Sequence, residues 1–258
     1  MTQKLLKDNL KHHLDPTLFA EEALQYKLDS WQKQALRWTG KKMLLCCSRQ
    51  SGKSTVSAII AAHRALFFPK SLTLLVSPSQ RQSSELFKKV TDELGKLSEQ
   101  PKKIEDNRLS VTLSTGSRIV SLPSTESTVR GYSGASLIVV DEASRVPDQL
   151  YYSISPMVAV SGGQILLLST PAGQRGFFHD IWASDSQEWE KIFVSAEDCP
   201  RISGDFLELE RKSIGEFWFK QEYLCQFLEA EGSLFSYEEI EDAFSDEVEG
   251  WNISLRRI

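Results

Sequence analysis

Residues 43–54 run Met-Leu-Leu-Cys-Cys-Ser-Arg-Gln-Ser-Gly-Lys-Ser. Five apolar residues, a polar turn and a helix opening at Lys53 constrain the fold more than any other stretch. A buried strand that turns through glycine straight into a helix belongs to a layered α/β architecture. The same order builds an anion cradle. Loop N–H groups and the helix N-terminus converge on one point, Lys53 extends toward β/γ-phosphates, and the Ser54 hydroxyl suits Mg²⁺. Ser48, Arg49, Gln50, Ser51, Gly52, Lys53, Ser54 and Thr55 are therefore the expected nucleotide-binding residues. Two departures mark this loop. The general G-x-x-x-x-G-K-S/T pattern places glycine where Cys47 stands, and Arg49 adds a cation beside the phosphates.

A second apolar run, Leu137-Ile138-Val139-Val140, ends in Asp141-Glu142. Four apolar residues followed by two acids read as a buried strand emerging at its carboxyl end, where open α/β sheets bind ligands. There Asp141 is placed to orient Mg²⁺, and Glu142 to polarise a water for in-line attack on a γ-phosphate. One strand later, Ser169-Thr170-Pro171 puts two hydroxyls and a stiffening proline at the same edge, suited to sensing loss of that phosphate. Upstream, Gln32 in Asp29-Ser30-Trp31-Gln32 carries an amide able to pair with adenine N6 and N7, and the same stretch also reads as an amphipathic helix start capped by Asp29 or Ser30.

Between these motifs, strands and helices alternate. Strands are expected at 43–47, 72–76, 137–140 and 165–168, and helices at 53–66 and 79–97. A hairpin is expected from 111–113 and 118–122, around Ser-Thr-Gly. That pattern predicts a mostly parallel sheet wrapped by helices. Four regions follow: a helical extension over 1–27, a core over 28–171, a lid or linker over 172–232, and an acidic tail over 233–258. The lid region should hold a flexible loop at 172–176, a strand at 189–195 and helices near 206–214 and 216–228.

The 258 residues are 41% hydrophobic and 25% charged, with a net charge of −5, so the surface as a whole does not advertise a polyanion partner. A bound nucleic acid would be held weakly by each protomer through a local basic patch. No apolar run nears the roughly 18 residues of a membrane span, and the N-terminus lacks an apolar signal core, which predicts a cytoplasmic protein without a membrane role. Cys46, Cys47, Cys199 and Cys225 lack metal-site spacing and are expected to be buried free thiols.

Taken in order, Trp31-Gln32, the Ser-Arg-Gln-Ser-Gly-Lys-Ser loop, Val76-Ser77-Pro78 with Gln82, Asp141-Glu142 and Ser169-Thr170-Pro171 resemble the ATPase domain of the large terminase subunit. That subunit is the motor that packages DNA into tailed-phage capsids. The stretch Glu216–Phe227 is similar to the segment closing that domain, so the resemblance spans about residues 28 to 235. It implies a P-loop NTPase of the additional-strand (ASCE, RecA/helicase-like) class that uses ATP and Mg²⁺. It also implies assembly as a homo-oligomeric ring on the portal protein, with the small terminase subunit and double-stranded DNA as partners, in the host cytoplasm. By the same resemblance Lys53 and Ser54 bind phosphate and Mg²⁺, Asp141 is the Walker B aspartate and Glu142 the catalytic base. Ser169, Thr170 and Pro171 form the coupling motif, and Gln32 contacts adenine. Arg49 matches the family's phosphate-loop arginine, acting in cis, while Arg130 resembles an arginine that reaches a neighbouring subunit's ATP. Variation at the Cys47 position is common in that family.

Large terminases usually continue into a ribonuclease H-type nuclease with clustered aspartates. The acids of the tail sit on no apolar strand able to fix two metals, so hydrolysis of ATP without DNA cleavage is expected of this chain. Two other readings fit part of the pattern. A superfamily 2 helicase-like translocase would need a second RecA-like domain. A non-hydrolysing, nucleotide-binding assembly module would not need the Lys53, Ser54, Asp141 and Glu142 set.

Overall fold

A computed structural model of the chain describes residues 10–123 and 131–229. Eight strands form one sheet in the order β3-β4-β5-β2-β6-β7-β1-β8. They are β1 (Lys42–Cys47), β2 (Leu72–Ser77), β3 (Lys103–Asn107), β4 (Ser110–Leu113), β5 (Arg118–Pro123), β6 (Leu137–Asp141), β7 (Gln164–Ser169) and β8 (Trp189–Val194). From β5 to β8 every neighbouring pair is parallel. β3, β4 and β5 make an antiparallel edge, including the expected β4–β5 hairpin. β7 lies between β1 and β6, which is the additional strand that defines the ASCE class.

The helices are α1 (Ser30–Leu36), α2 (Lys53–Phe67), α3 (Gln80–Gly95), α4 (Asp148–Ile154), α5 (Gly176–Ala183), α6 (Gly204–Ile214) and α7 (Glu216–Glu222). Strand alternation sends side chains to two cores, one on each face of the sheet. Met43, Leu45 and Cys47 of β1 pack with Val56 and Ile59 of α2 and with Leu86 and Val90 of α3. Leu44 and Cys46 face the opposite way, into a core completed by Leu150 and Ile154 of α4 and by Phe177 and Phe178 of α5. α3 forms for clear reasons. Ser79 caps it by accepting from the Gln82 N–H at 3.3 Å, and Ser83, Leu86, Phe87, Val90 and Leu94 repeat at helical spacing on its buried face.

Several elements differ from expectation. The segment assigned to a lid or linker, 172–232, contributes β8, which pairs with β1 along its whole length, Lys42↔Trp189 to Cys47↔Val194. The flexible loop expected at 172–176 leads directly into α5, whose Phe177 and Phe178 are buried. α4, α5 and β3 are additions to the expected elements. β3 is exposed at every position, so its sequence carries no apolar alternation to reveal it. The last helix ends at Glu222 rather than 228, because the chain reverses at Cys225, a non-glycine residue with φ of 55°. Over the N-terminal extension, Asp15 accepts from the Thr17 N–H at 2.8 Å and caps a helical turn, Pro16–Leu18, that widens into a π-helical segment, Phe19–Ala23. The acidic tail lies outside the described residues.

Candidate active site

The carboxyl ends of β1, β7 and β6 are held level by their register, with Cys46 opposite Ser169 and Leu168 opposite Asp141. All three motifs therefore arrive at one edge. After β1 the chain turns sharply, with Gln50 at φ 62° and Gly52 at φ 96°. Glycine is required at 52, because an L side chain is strained there and an added Cβ would lie 2.8 Å from Gln32 Nε2. Loop shape is fixed by the Ser48 N–H donating to the Val194 carbonyl (2.9 Å) and by Ser51 Oγ donating to the Ser48 carbonyl (2.8 Å). α2 then starts at Lys53, with its first-turn N–H groups outside the intrahelical ladder and its positive dipole end at the loop.

Cys47 explains itself here. It is the last residue of β1, fully buried and paired with Val194, so the position that carries glycine in the general pattern needs none. All four cysteines are free and buried, and burial raises the Cys47 thiol well above its ordinary range, leaving it unreactive.

Lys53 is 8% exposed, with its Nζ 3.7 Å from Glu142 Oε1. Asp141 closes β6, and its Oδ1 accepts from the Glu142 N–H at 3.0 Å. Burial pushes the Asp141 carboxyl up to about 6, with the neighbouring Glu142 charge adding to the shift and Lys53 opposing it. Ser54 offers a hydroxyl and Asp141 a carboxylate, the kinds of oxygen donor that Mg²⁺ takes beside phosphates. Glu142 itself sits at φ 51°, a conformation that turns the chain sharply out of the strand. The hydroxyls of Ser144 and Ser169 are 2.7 Å apart, and Ser144 Oγ donates to the Thr170 carbonyl at 2.8 Å, which joins the segment after β7 to the turn after β6.

Gln32 is 5% exposed and lies against the loop, yet its Oε1 accepts from the Asp29 N–H at 2.9 Å as part of the capping box of α1. Paired contact with adenine requires that oxygen to leave the cap. Arg49 projects from the loop and its Nε donates to Glu222 Oε2 at 2.8 Å. Arg130 lies outside the described residues.

Three residues not singled out from the sequence complete the edge. Glu222, at the end of α7, is 5% exposed. Burial would raise its carboxyl, but the hydrogen bond and charge of Arg49, together with the charge of Arg145, outweigh burial and hold it below its ordinary value. Arg145 links Glu142 (2.8 Å) to Glu222 (2.9 Å). Arg201 pairs with Asp29 at 2.6 Å and donates to the Ser51 carbonyl at 2.7 Å, fastening the cap of α1 to the phosphate loop. Of these, only Arg145 carried a local signal, a cation three residues after Glu142 on the same turn.

The family model for the terminase large subunit, T4-like-virus type, N-terminal, matches residues 44–242. Among curated proteins, the large terminase subunit of Thermus phage G20c is 26% identical over 250 aligned positions, covering 83% of this chain and 52% of that protein. The chain thus spans about half the length of the curated relatives it matches. Among solved structures, the large-terminase ATPase domain of Thermus phage P74-26 superimposes with a TM-score of 0.73 at 20% identity, covering 82% of this chain and 98% of that domain. A large terminase from a thermophilic bacteriophage, solved in complex with ADP, superimposes with a TM-score of 0.66 at 14% identity, over 83% of this chain and 57% of that one.

Proposed function

From the premise that this chain belongs to the terminase large-subunit family, T4-like-virus type, we propose that it hydrolyses ATP to drive double-stranded DNA into a viral procapsid. The observation that carries this reading is the convergence of Lys53, Glu142 and Asp141 at one sheet edge, with Nζ of Lys53 3.7 Å from Glu142.

In this reading the loop N–H groups and Lys53 hold the β/γ-phosphates, and the positive end of α2 favours their charge. Ser54 and Asp141 are the residues that would hold Mg²⁺, which supplies charge neutralisation on the phosphate oxygens when bound. Glu142 accepts hydrogen bonds from the attacking water and aligns it in line with the γ-phosphate. Arg49 stabilises charge on the transferring phosphoryl group in cis once it leaves Glu222, and Arg130 does so for a neighbouring subunit in a ring. Ser169, Thr170 and Pro171 report phosphate release to the elements around them. The domain limits, the portal protein and small terminase subunit as partners, and action at the procapsid portal in the host cytoplasm belong to the same proposal. Among the described residues no helix is long and apolar enough to cross a membrane.

Phosphate release from ATP, followed over a protein concentration series with and without Mg²⁺, tests the proposal. Turnover that rises with concentration and is abolished by Glu142→Gln supports it. Turnover equal in the wild type and the variant at every concentration rejects it. Mixing Arg130→Ala with Glu142→Gln protomers tests the trans arginine, since interfaces that pair an intact Glu142 with an intact Arg130 should regain activity. No recovery at any ratio removes Arg130 from the site.

A further inference from the structure

Arg145 ends the 3₁₀ turn Ala143–Arg145 and is the meeting point of three separate elements. Its NH1 donates to Glu142 Oε2 at 2.8 Å and to Thr170 Oγ1 at 3.3 Å, and its NH2 donates to Glu222 Oε1 at 2.9 Å. Those acceptors come from the exit of β6, the segment after β7 and the end of α7. Glu222 is a firm anchor, because its other oxygen takes Arg49 Nε at 2.8 Å and its carbonyl takes the Arg49 N–H at 3.0 Å.

Glu142 has no comparable support. Its side chain is a quarter exposed and Lys53 stands 3.7 Å away, beyond hydrogen-bond range. Among the described residues, Arg145 supplies the one hydrogen bond to the Glu142 carboxylate. The two oxygens of that carboxylate are thereby given different tasks. Oε2 is held by the guanidinium, and Oε1 is left on the side of Lys53, where phosphate and water would lie. A carboxylate that must present one oxygen to a water needs its other oxygen fixed, or rotation spoils the alignment. A planar guanidinium spreads its donors in a rigid fork over separate nitrogens and so holds acceptors from three elements in one fixed geometry, whereas an ammonium offers its three donors from a single atom on a flexible stem.

We propose that Arg145 is a positioning residue for hydrolysis: anchored on Glu222, it fixes the Glu142 carboxylate and ties it to the Thr170 hydroxyl. The proposal rests on the reading of Glu142 as the group that aligns the attacking water. It adds a residue that acts through Glu142 and makes α7 part of the catalytic geometry.

Single-turnover hydrolysis by the full chain, paired with binding of a non-hydrolysable ATP analogue, tests it. Arg145→Ala is expected to lower the maximal rate by about 10- to 100-fold, as a misplacement of about 1 Å does, while analogue affinity stays as in the wild type. Arg145→Lys should recover part of the rate. In a Glu222→Gln background, where the anchor is already weakened, Arg145→Ala should cost distinctly less than in the wild type. Three results overturn the proposal: a wild-type rate in folded Arg145→Ala, analogue binding that weakens in step with the rate (Arg145 then touches phosphate directly), or full additivity with Glu222→Gln. Should Arg145→Ala fail to fold, Arg145→Lys decides alone: a slower rate with unchanged binding supports the proposal, and a wild-type rate ends it. Glu142→Gln is the reference. If that variant keeps turnover, the reading of Glu142 fails first. If it loses turnover while Arg145→Ala does not, only the present inference fails.

Discussion

At the carboxyl ends of β1, β7 and β6, arginines and acids are paired with one another across elements, from Arg49 through Glu222 and Arg145 to Glu142. At the amino ends of the same strands the matching is mixed: Lys42 pairs with Glu188 at 2.7 Å and Arg37 with Asp15 at 2.9 Å, while other cations meet neutral groups. Arg64 donates to the Gln164 amide and lies 4.3 Å over the Phe68 ring, Lys41 donates to the Gly162 carbonyl, and Gln164 Nε2 donates to the Gly40 carbonyl at 2.6 Å. α2 connects the two edges. Its positive end opens at Lys53 above, and its negative end closes at Phe67 below, where the Arg64 carbonyl takes the Phe68 N–H at 3.1 Å and the Ser71 hydroxyl at 3.2 Å. The lower edge also holds a cavity of about 610 Å³, lined by His13, Arg37, Arg64, Lys70 and Gln164 among others. It is roomy and rich in cations, but no strand-to-helix phosphate loop opens onto it. The loop and helix opening at Lys53, rather than cavity size, carry the phosphate site proposed above.

If this contrast holds, variants at the upper edge should cost catalysis and variants at the lower edge stability. The largest effect is expected from Arg49→Ala, a loss of about 10³-fold or more in kcat if its charge acts on the phosphoryl group, beyond the loss of stability expected from leaving Glu222 to Arg145 alone. Glu142→Gln follows, with a loss of about 10² to 10⁴. In Glu142→Gln, a fall in thermal stability as large as that of the lower-edge variants would erase the distinction.

At the lower edge, His63 is 6% exposed, and its Nε2 lies 2.9 Å from the His12 carbonyl. Burial lowers its pKa from 6.5 to about 4, with the charges of Arg64 and His13 acting in the same direction. The unfolded chain therefore binds a proton between about pH 6.5 and 4 that the folded chain refuses. Stability present above pH 6.5 should drop by an amount on the order of 3 kcal/mol as pH falls through that window. Denaturant titrations of the wild type and His63→Phe should diverge there and run parallel above pH 7. Parallel behaviour throughout would show that His63 is not held neutral. The smallest effect is expected from Arg64→Met. It leaves the Gln164 amide oxygen without its donor and should cost about 1–3 kcal/mol of stability, with kcat unchanged. A loss of turnover in that variant would mean that the lower edge communicates with the upper one.

The upper edge was legible in the sequence to the extent that its chemistry is local. Gly52-Lys53-Ser54, Asp141-Glu142 and Ser169-Thr170 each follow an apolar strand, and a parallel sheet brings such strand ends together. Glu222 was illegible because nothing near it distinguishes it from the other surface-type acids. Its partners are Arg49, 173 residues away, and Arg145, 77 residues away. Arg201 was hidden in the same way, acting through Ser51 and Asp29. The strand β8 was legible but its pairing with β1 was not. Its residues, Trp189-Glu190-Lys191-Ile192-Phe193-Val194, show no strict alternation, and the stretch expected as a flexible loop separates it in sequence from the core strands. Register, which decides its place beside β1, is a property of pairing and not of either strand alone.

One consequence of the position of β7 concerns time. The strand is bonded along both edges, to β1 from Lys42↔Ile165 through Cys46↔Ser169 and to β6 from Leu137↔Gln164 through Asp141↔Leu168. A strand gripped on both sides cannot slide without breaking its ladders together, so in the proposed coupling role the buried Ser169 and Thr170 respond first by reorienting hydroxyl groups and the Arg145 guanidinium. Reorientation breaks no ladder and precedes collective displacement of whole elements, which takes microseconds to milliseconds. Under the proposed function, detection of the chemical event and the mechanical stroke are then separable in rate, with the slow step expected in elements around the sheet rather than in the strands.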